Sequence, residues 1–312
     1  MTYLLLVIGF VLLVKGADFF VDGSASIAKK LRVPELIIGL TIVAMGTSAP
    51  EAAVSISASL AGSNDIAISN VTGSNIFNLL VVVGASALIR PICVDSKIIR
   101  RDIPFSIIAV VLTFAMGLLF NSVFGILPSA VLLLLFILYM FLTIRSAMKD
   151  RRLTANDEVK EESSLSMPKS ILSTIVGIGA VIVGGQLVVN SATEIARTFG
   201  LSETLIGLTI CAIGTSLPEL VTSVVASKKG MSDLAIGNAI GSNILNFLFV
   251  FAMSSLISPV SIVNEAFIDL ALLTGISILA LIFSITRKKI GRIEGGVFVL
   301  LYVIYSVYIC LR

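Results

Sequence analysis

Long apolar stretches alternate with short polar breaks along the whole chain. They predict ten helices over roughly 3–27, 34–60, 66–89, 103–120, 124–145, 169–194, 202–227, 233–257, 266–286 and 293–311. The longest break, 146–168, reads R-S-A-M-K-D-R-R-L-T-A-N-D-E-V-K-E-E-S-S-L-S-M. It is charged, lacks apolar periodicity and predicts a flexible linker.

Polar residues recur inside the apolar stretches. G-L-T-I-V-A-M-G-T-S-A-P-E at 39–51 returns at 207–219 as G-L-T-I-C-A-I-G-T-S-L-P-E. A constant offset of 168 also aligns Gly16 with Gly184, Asn70 with Asn238, Gly73 with Gly241, Asn75 with Asn243 and Asn78 with Asn246. Such a duplication is a fold-level signal. Each half holds five predicted helices, an odd number, so the second half enters a bilayer from the opposite side. The expected fold is therefore an all-α integral membrane protein built as two inverted five-helix repeats, with helices 2 and 7 broken to form a central site. The first repeat would occupy 1–145 with its motif at 39–80, the linker 146–168, and the second repeat 169–312 with its motif at 207–248. Duplication kept only for packing would explain Gly73 and Gly241 as small-residue helix contacts. It leaves the paired Glu51 and Glu219 unexplained.

Those two acids carry the chemistry. A carboxylate inside hydrocarbon is costly and marks a function by default. Pro50 has no N–H, so the carbonyl of Met45 or Gly46 loses its partner, and Ala49 is pushed from helical geometry. Freed carbonyls at membrane depth need a cavity or a new partner, and hard cations favour carbonyl and carboxylate oxygens. Ala44, Thr47, Ser48 and Glu51 share one helix face at i, i+3, i+4 and i+7, as do Ala212, Thr215, Ser216 and Glu219. Ser74 and Asn78 lie four apart in the next helix, matched by Ser242 and Asn246. For any single Thr or Ser, bonding back to a carbonyl of its own helix is the preferred reading. Asn75 and Asn243 read as packing or capping residues, while spacing alone leaves Asn78 and Asn246 undecided. Lys15 and Asp18 predict a local i, i+3 ion pair, with a role in ion entry for Lys15, Asp18 and Asp22 as the alternative. Glu35 and Glu203 read as acids at helix starts.

Composition agrees. The chain has 312 residues, 57% hydrophobic and 13% charged, about half the charge share of soluble domains. Met1 to Phe20 lacks a basic leader region and reads as the first span. Cys93, Cys211 and Cys310 are too few and scattered for a disulfide framework or metal cluster, and there is no histidine. A soft transition metal is thus unexpected. A net charge of +3 does not argue for nucleic acid. Of 22 lysines and arginines, 19 fall in the alternating segments 29–32, 90–101, 145–169, 228–229 and 287–292. By the positive-inside rule these face the cytoplasm of a cell-membrane protein, so the linker is cytoplasmic and both termini are extracellular.

The two copies, G-T-S-A-P-E with G-S-N-I-F-N and G-T-S-L-P-E with G-S-N-I-L-N, resemble the α-repeats of the sodium/calcium exchangers and the wider calcium/cation antiporters. The likeness spans essentially the whole chain, as a prokaryotic member. It implies electrogenic exchange of Na⁺ for Ca²⁺ by alternating access, with no cofactor and with a monomer sufficing in membrane lipid. The family's Ca²⁺ site would fall on Glu51 and Glu219 with the carbonyls of Thr47 and Thr215. Its Na⁺ sites would use Ala44, Ser48 and Ser74 on one side, and Ala212, Ser216 and Ser242 on the other. Asn78 and Asn246 would form the central pair, and the first and sixth helices would slide as the gate. Family members often carry aspartate at one central position, whereas this chain has asparagine at both. Stoichiometry and the part played by H⁺ or K⁺ therefore stay open. An intramembrane hydrolase with Ser48 or Ser216 as nucleophile lacks a histidine base. A channel would carry flux without a counter-ion.

Overall fold

The computed structural model describes residues 1–62, 64–154, 165–200 and 212–311. Almost everything described is helical. α1 spans Thr2–Leu31, α2 Glu35–Thr47, α3 Ala49–Leu60, α4 Asp65–Ile89, α5 Ile98–Leu119 and α6 Ile126–Asp150. In the second half α7 spans Met167–Thr198, α8 Leu217–Lys228, α9 Ser232–Ile257, α10 Asn264–Arg287 and α11 Arg292–Leu311. Eight described helices are long and apolar enough to cross a membrane, nine if the bent pair α2–α3 counts as one span. The predicted span 202–227 begins outside the described residues, as do Glu203, Cys211 and the first part of the 207–248 motif. Only Ala212–Gly214 and α8 represent it.

The boundaries shift in two places. α5 starts at Ile98 rather than near 103, opening with a π-helical turn, Ile98–Asp102. Arg100 in that turn is exposed, while Arg101 is held by buried Asp102. The helix that begins at Ile126 continues to Thr154, so the expected linker loses its first residues to that helix. R-S-A-M-K-D contains no breaker, and Lys97 pairs with Asp150 across the gap to α5. Of the remaining expected linker, 155–164 lies outside the described residues and Met167 and Pro168 open α7.

Burial follows polarity. α4 and α9 have the lowest mean hydropathy of the spanning helices, 1.6 and 1.7, yet the largest buried shares, 72% and 78%. Their Asn, Ser and Thr side chains cannot face hydrocarbon cheaply, so the more apolar helices surround them. The main apolar core gathers on these two helices, with Ile76, Leu80, Phe247 and Phe251 fully enclosed.

α1 and α7 form an antiparallel pair, and a smaller apolar cluster around Leu13, Phe20, Val181 and Val188 continues onto Val43, Val225 and Leu234 of α2, α8 and α9. Glycine lets their backbones touch: a Cβ on Gly184 would lie 2.7 Å from Leu13 N and 2.8 Å from Gly9 O. The expected Lys15–Asp18 pair is not formed. Asp18 instead joins Asp22 in binding Lys229, at 3.2 and 2.7 Å. Lys229 lies just beyond the end of α8, and its long stem brings the ammonium to both acids.

Two short antiparallel ladders, not foreseen from the sequence, tie the halves together crosswise. Ile92–Cys93 pairs with Lys289–Ile290, and Val123–Phe124 with Val260–Ser261. The first ladder brings two basic loops together. Ser227 donates to Ser86 and Arg90 carbonyls, and Arg292 to the Ile89 carbonyl, drawing the loops after α4, α8 and α10 to one end. The basic segments 90–101, 228–229 and 287–292 therefore meet in space.

Gly184→Ala is expected to lower the unfolding temperature in detergent, because overpacking costs about 1–3 kcal/mol against roughly 1 kcal/mol gained in helix propensity. Gly179→Ala on the same helix meets nothing within 4 Å and should leave that temperature unchanged or raised. Equal behaviour of the two variants would refute the close backbone contact.

Candidate functional site

The break predicted by Pro50 falls on Ser48, one residue earlier than expected. Ser48 has φ −81° and ψ 5°, and Ser216 has φ −93° and ψ 5°. Each serine precedes a new helix whose second residue is proline, a position that needs no N–H. The axis turns by 48° between α2 and α3. Of the carbonyls expected to be freed, Gly46's accepts a backbone N–H at the end of α2. Ala44, buried, also has its carbonyl engaged there, by Ser48 N–H.

Restarting the helix places Glu51 and Glu219 in the first turns of α3 and α8. A helix start favours a negative charge, so these acids do sit at helix ends. The ends lie inside the bundle, however, and both glutamates are 0% exposed. Ser48 Oγ donates to Glu219 Oε1 at 2.9 Å, and Ser216 Oγ donates to Glu51 Oε1 at 3.0 Å. Each broken helix therefore solvates the carboxylate of the other. Ser242 Oγ adds a 3.4 Å bond to Glu219 Oε1, while the matched Ser74, also buried, has no partner for its hydroxyl.

Threonine divides the copies. Thr47 Oγ1 lies 3.1 Å from Val43 O and 2.9 Å from Asn238 Oδ1, so bonding back to its own helix is borne out there. Thr215 is half-buried at the second break, and its hydroxyl has no hydrogen-bond partner among the described residues. Ala212 opens the short segment Ala212–Gly214 ahead of that break.

Four asparagines cross between α4 and α9. Asn75 Nδ2 donates to Asn243 O at 3.0 Å, and Asn243 Nδ2 to Asn75 O at 3.3 Å. Asn78 Nδ2 donates to Asn243 Oδ1 at 3.1 Å, and Asn246 Nδ2 to Asn75 Oδ1 at 3.0 Å. The amides are spent on neighbours, which leaves Asn78 Oδ1 and Asn246 Oδ1 buried without partners. Both residues open π-helical turns, Asn78–Val83 and Asn246–Phe251, a distortion common at functional positions.

Asn70 and Asn238, noted in the sequence only for register, support the acids from behind. Each donates to the backbone carbonyl of its glutamate and to a serine one turn on, Ser55 or Ser223. Their place in the offset of 168 was the signal available; their partners were not.

The accounting of buried polar atoms is lopsided. Glu51 Oε2, Glu219 Oε2, Asn78 Oδ1 and Asn246 Oδ1 are all acceptors, all buried and all without a donor among the described residues. Such orphans require an explanation. Four oxygens in matched pairs can be satisfied by a hard cation. No group of three or more His, Cys, Asp or Glu that could hold a metal ion occurs among the described residues.

The family model described as sodium/calcium exchanger protein matches residues 1–145 and 169–311. The chain is similar to the sodium/calcium exchanger MaX1 of Methanosarcina acetivorans, 34% identical across 98% of this chain and 97% of that one. It is similar also to the inner membrane protein YrbG of Escherichia coli, 36% identical across 82% and 79%. A solved structure of the sodium-calcium exchanger NCX_Mj, soaked with Na⁺ and Sr²⁺, superposes with a TM-score of 0.84 at 35% identity, covering 97% and 96% of the two chains.

Proposed function

This chain belongs to the sodium/calcium exchanger family, and from that membership we infer that it is a multi-pass membrane antiporter exchanging Na⁺ for Ca²⁺. The observation that carries the reading is the set of four orphaned oxygens on Glu51, Glu219, Asn78 and Asn246. Ca²⁺ would bind between the two carboxylates, joined by the carbonyls of Thr47 and Thr215. Na⁺ would use the carboxylates together with Ser48, Ser74 and the Ala44 carbonyl on one side. On the other side it would use Ser216, Ser242 and the Ala212 carbonyl.

Ten spans in two inverted repeats would bring this site to the midplane. Reciprocal bonding supports that arrangement, because Ser48 serves Glu219 as Ser216 serves Glu51. The clustered basic loops would face the cytoplasm and the termini the outside. Alternating access would move α1 and α7 against the remaining helices.

Two carboxylates balance one Ca²⁺ or two Na⁺, so competition for the same charges couples the ions. A third Na⁺ would cross uncompensated and make exchange electrogenic.

Ca²⁺ uptake into proteoliposomes is expected under an outward Na⁺ gradient and not under a pH gradient alone. Uptake driven only by the pH gradient would replace Na⁺ with H⁺, and an added requirement for K⁺ would revise the ion set.

Glu51→Gln and Glu219→Gln should each lower exchange to background, by at least about 100-fold as expected when a charge binding the ion is lost. Both variants should remain folded in detergent, since the amide oxygen still accepts from Ser216 or Ser48. Exchange retained in either variant would remove that residue from the site.

Asn78→Asp adds a third carboxylate and should change the Na⁺ to Ca²⁺ coupling ratio, read from the reversal potential of exchange. An unaltered ratio would place Asn78 outside the ion path.

A further inference from the structure

The outer pair of helices covers the two broken helices unequally. α1 packs along α8, and Ala17, Val21 and Ala28 of α1 join Val225 and Ala226 of α8 in one buried apolar cluster. The offset of 168 matches Val225 to Ser57 and Thr222 to Val54, both on α3. Val225 and Thr222 are 8% and 0% exposed, whereas Ser57 is exposed and Val54 is 40% exposed. In inverted repeats such faces exchange roles when one set of helices rocks against the other.

One contact exists only on the covered side. Lys229, just beyond α8, binds Asp18 at 3.2 Å and Asp22 at 2.7 Å. The matched positions in the other half are Ala61, Gln186 and Asn190, which carry no charge. The turn that bears Lys229 is anchored to the bundle. Ser227 donates to the carbonyls of Ser86 and Arg90, and Gly230, at φ 83°, leaves room that the Arg90 guanidinium fills. α1 and α7 are in turn joined to each other. Ser26 and Ser170 share a hydroxyl bond at 2.7 Å, and Ser173 donates to the Phe19 carbonyl at 2.8 Å, so what holds α1 also holds α7.

We propose that Lys229 is a clasp between the bundle and the α1–α7 pair, favouring the conformation in which the α8 face is closed and the α3 face accessible. The positive-inside rule makes the clasped end the cytoplasmic one. The proposal rests on α1 and α7 moving as the gate. Partly exposed ion pairs are weak, which suits a contact that must break and re-form in every cycle.

The test uses detergent-purified protein with Cys93→Ser, Cys211→Val and Cys310→Ser, carrying a single new cysteine, Val225→Cys or Ser57→Cys. The rate of labelling by a charged methanethiosulfonate reagent is measured at each position. Cysteine at 57 is expected to react faster than cysteine at 225. Lys229→Gln should speed labelling at 225 by about three- to tenfold, as expected for two weak ion pairs, and slow it at 57. Asp18→Asn with Asp22→Asn should do the same, while Lys229→Arg keeps the charge and should keep the original rates. Unchanged rates in both neutralised variants, or faster labelling at both positions as in general loosening, would overturn the proposal. Rates moved by Na⁺ or Ca²⁺ but not by the variants would overturn the clasp alone. Rates moved by neither would overturn the gate motion as well.

Discussion

Burying two carboxylates in an apolar bundle is the constraint on which the rest of the structure depends. Each acid must be solvated by the protein, yet not so completely that it has nothing left to offer an ion. The broken helices meet both demands. The break places each acid in the first turn of a helix, where N–H groups and the dipole favour its charge. It also turns Ser48 and Ser216 across the centre, each onto the opposite acid. One oxygen of each carboxylate is thereby held while the other stays open.

The asparagines apply the same division to a neutral group. Asn75 and Asn243 occupy the amide hydrogens of Asn246 and Asn78 in the reverse sense, by presenting oxygen to them. A free asparagine side chain offers both donors and an acceptor. With its N–H group committed, only the acceptor faces inward. What this cluster presents is a matter of orientation as much as of composition, since the same four amides flipped would offer N–H groups where unpartnered oxygens now stand.

Symmetry is close at the centre, where only the Thr47/Thr215 and Ser74/Ser242 pairs differ in their partners, and relaxed towards the ends. The serine–glutamate and asparagine bonds recur at both copies, and the two small β ladders pair crosswise between halves. Lys229 binding Asp18 and Asp22 has no counterpart: the residues matched to Asp18 and Asp22 are Gln186 and Asn190, which bond to each other at 2.8 Å. Exposed ion pairs contribute little to stability, so divergence there costs the fold little. Divergence at Glu51 or Glu219 would leave a buried partner unsatisfied.

Most of the spans, the repeat and the two acids were legible in the chain alone. Hydrophobic length and polar breaks report directly on what lipid will accept, and a constant offset of 168 needs no folding to be read. It also marked Ser48, Ser216, Asn78 and Asn246, because each recurs where hydrocarbon would exclude it. Tertiary structure decided the partners. Nothing in the spacing says that Ser48 serves the distant Glu219 rather than its own helix, that Asp18 prefers Lys229 to Lys15, or that Asn75 governs the direction of Asn246. Those bonds join residues more than a hundred positions apart. Period and spacing constrain neighbours along one helix, whereas these contacts follow from how separate helices pack.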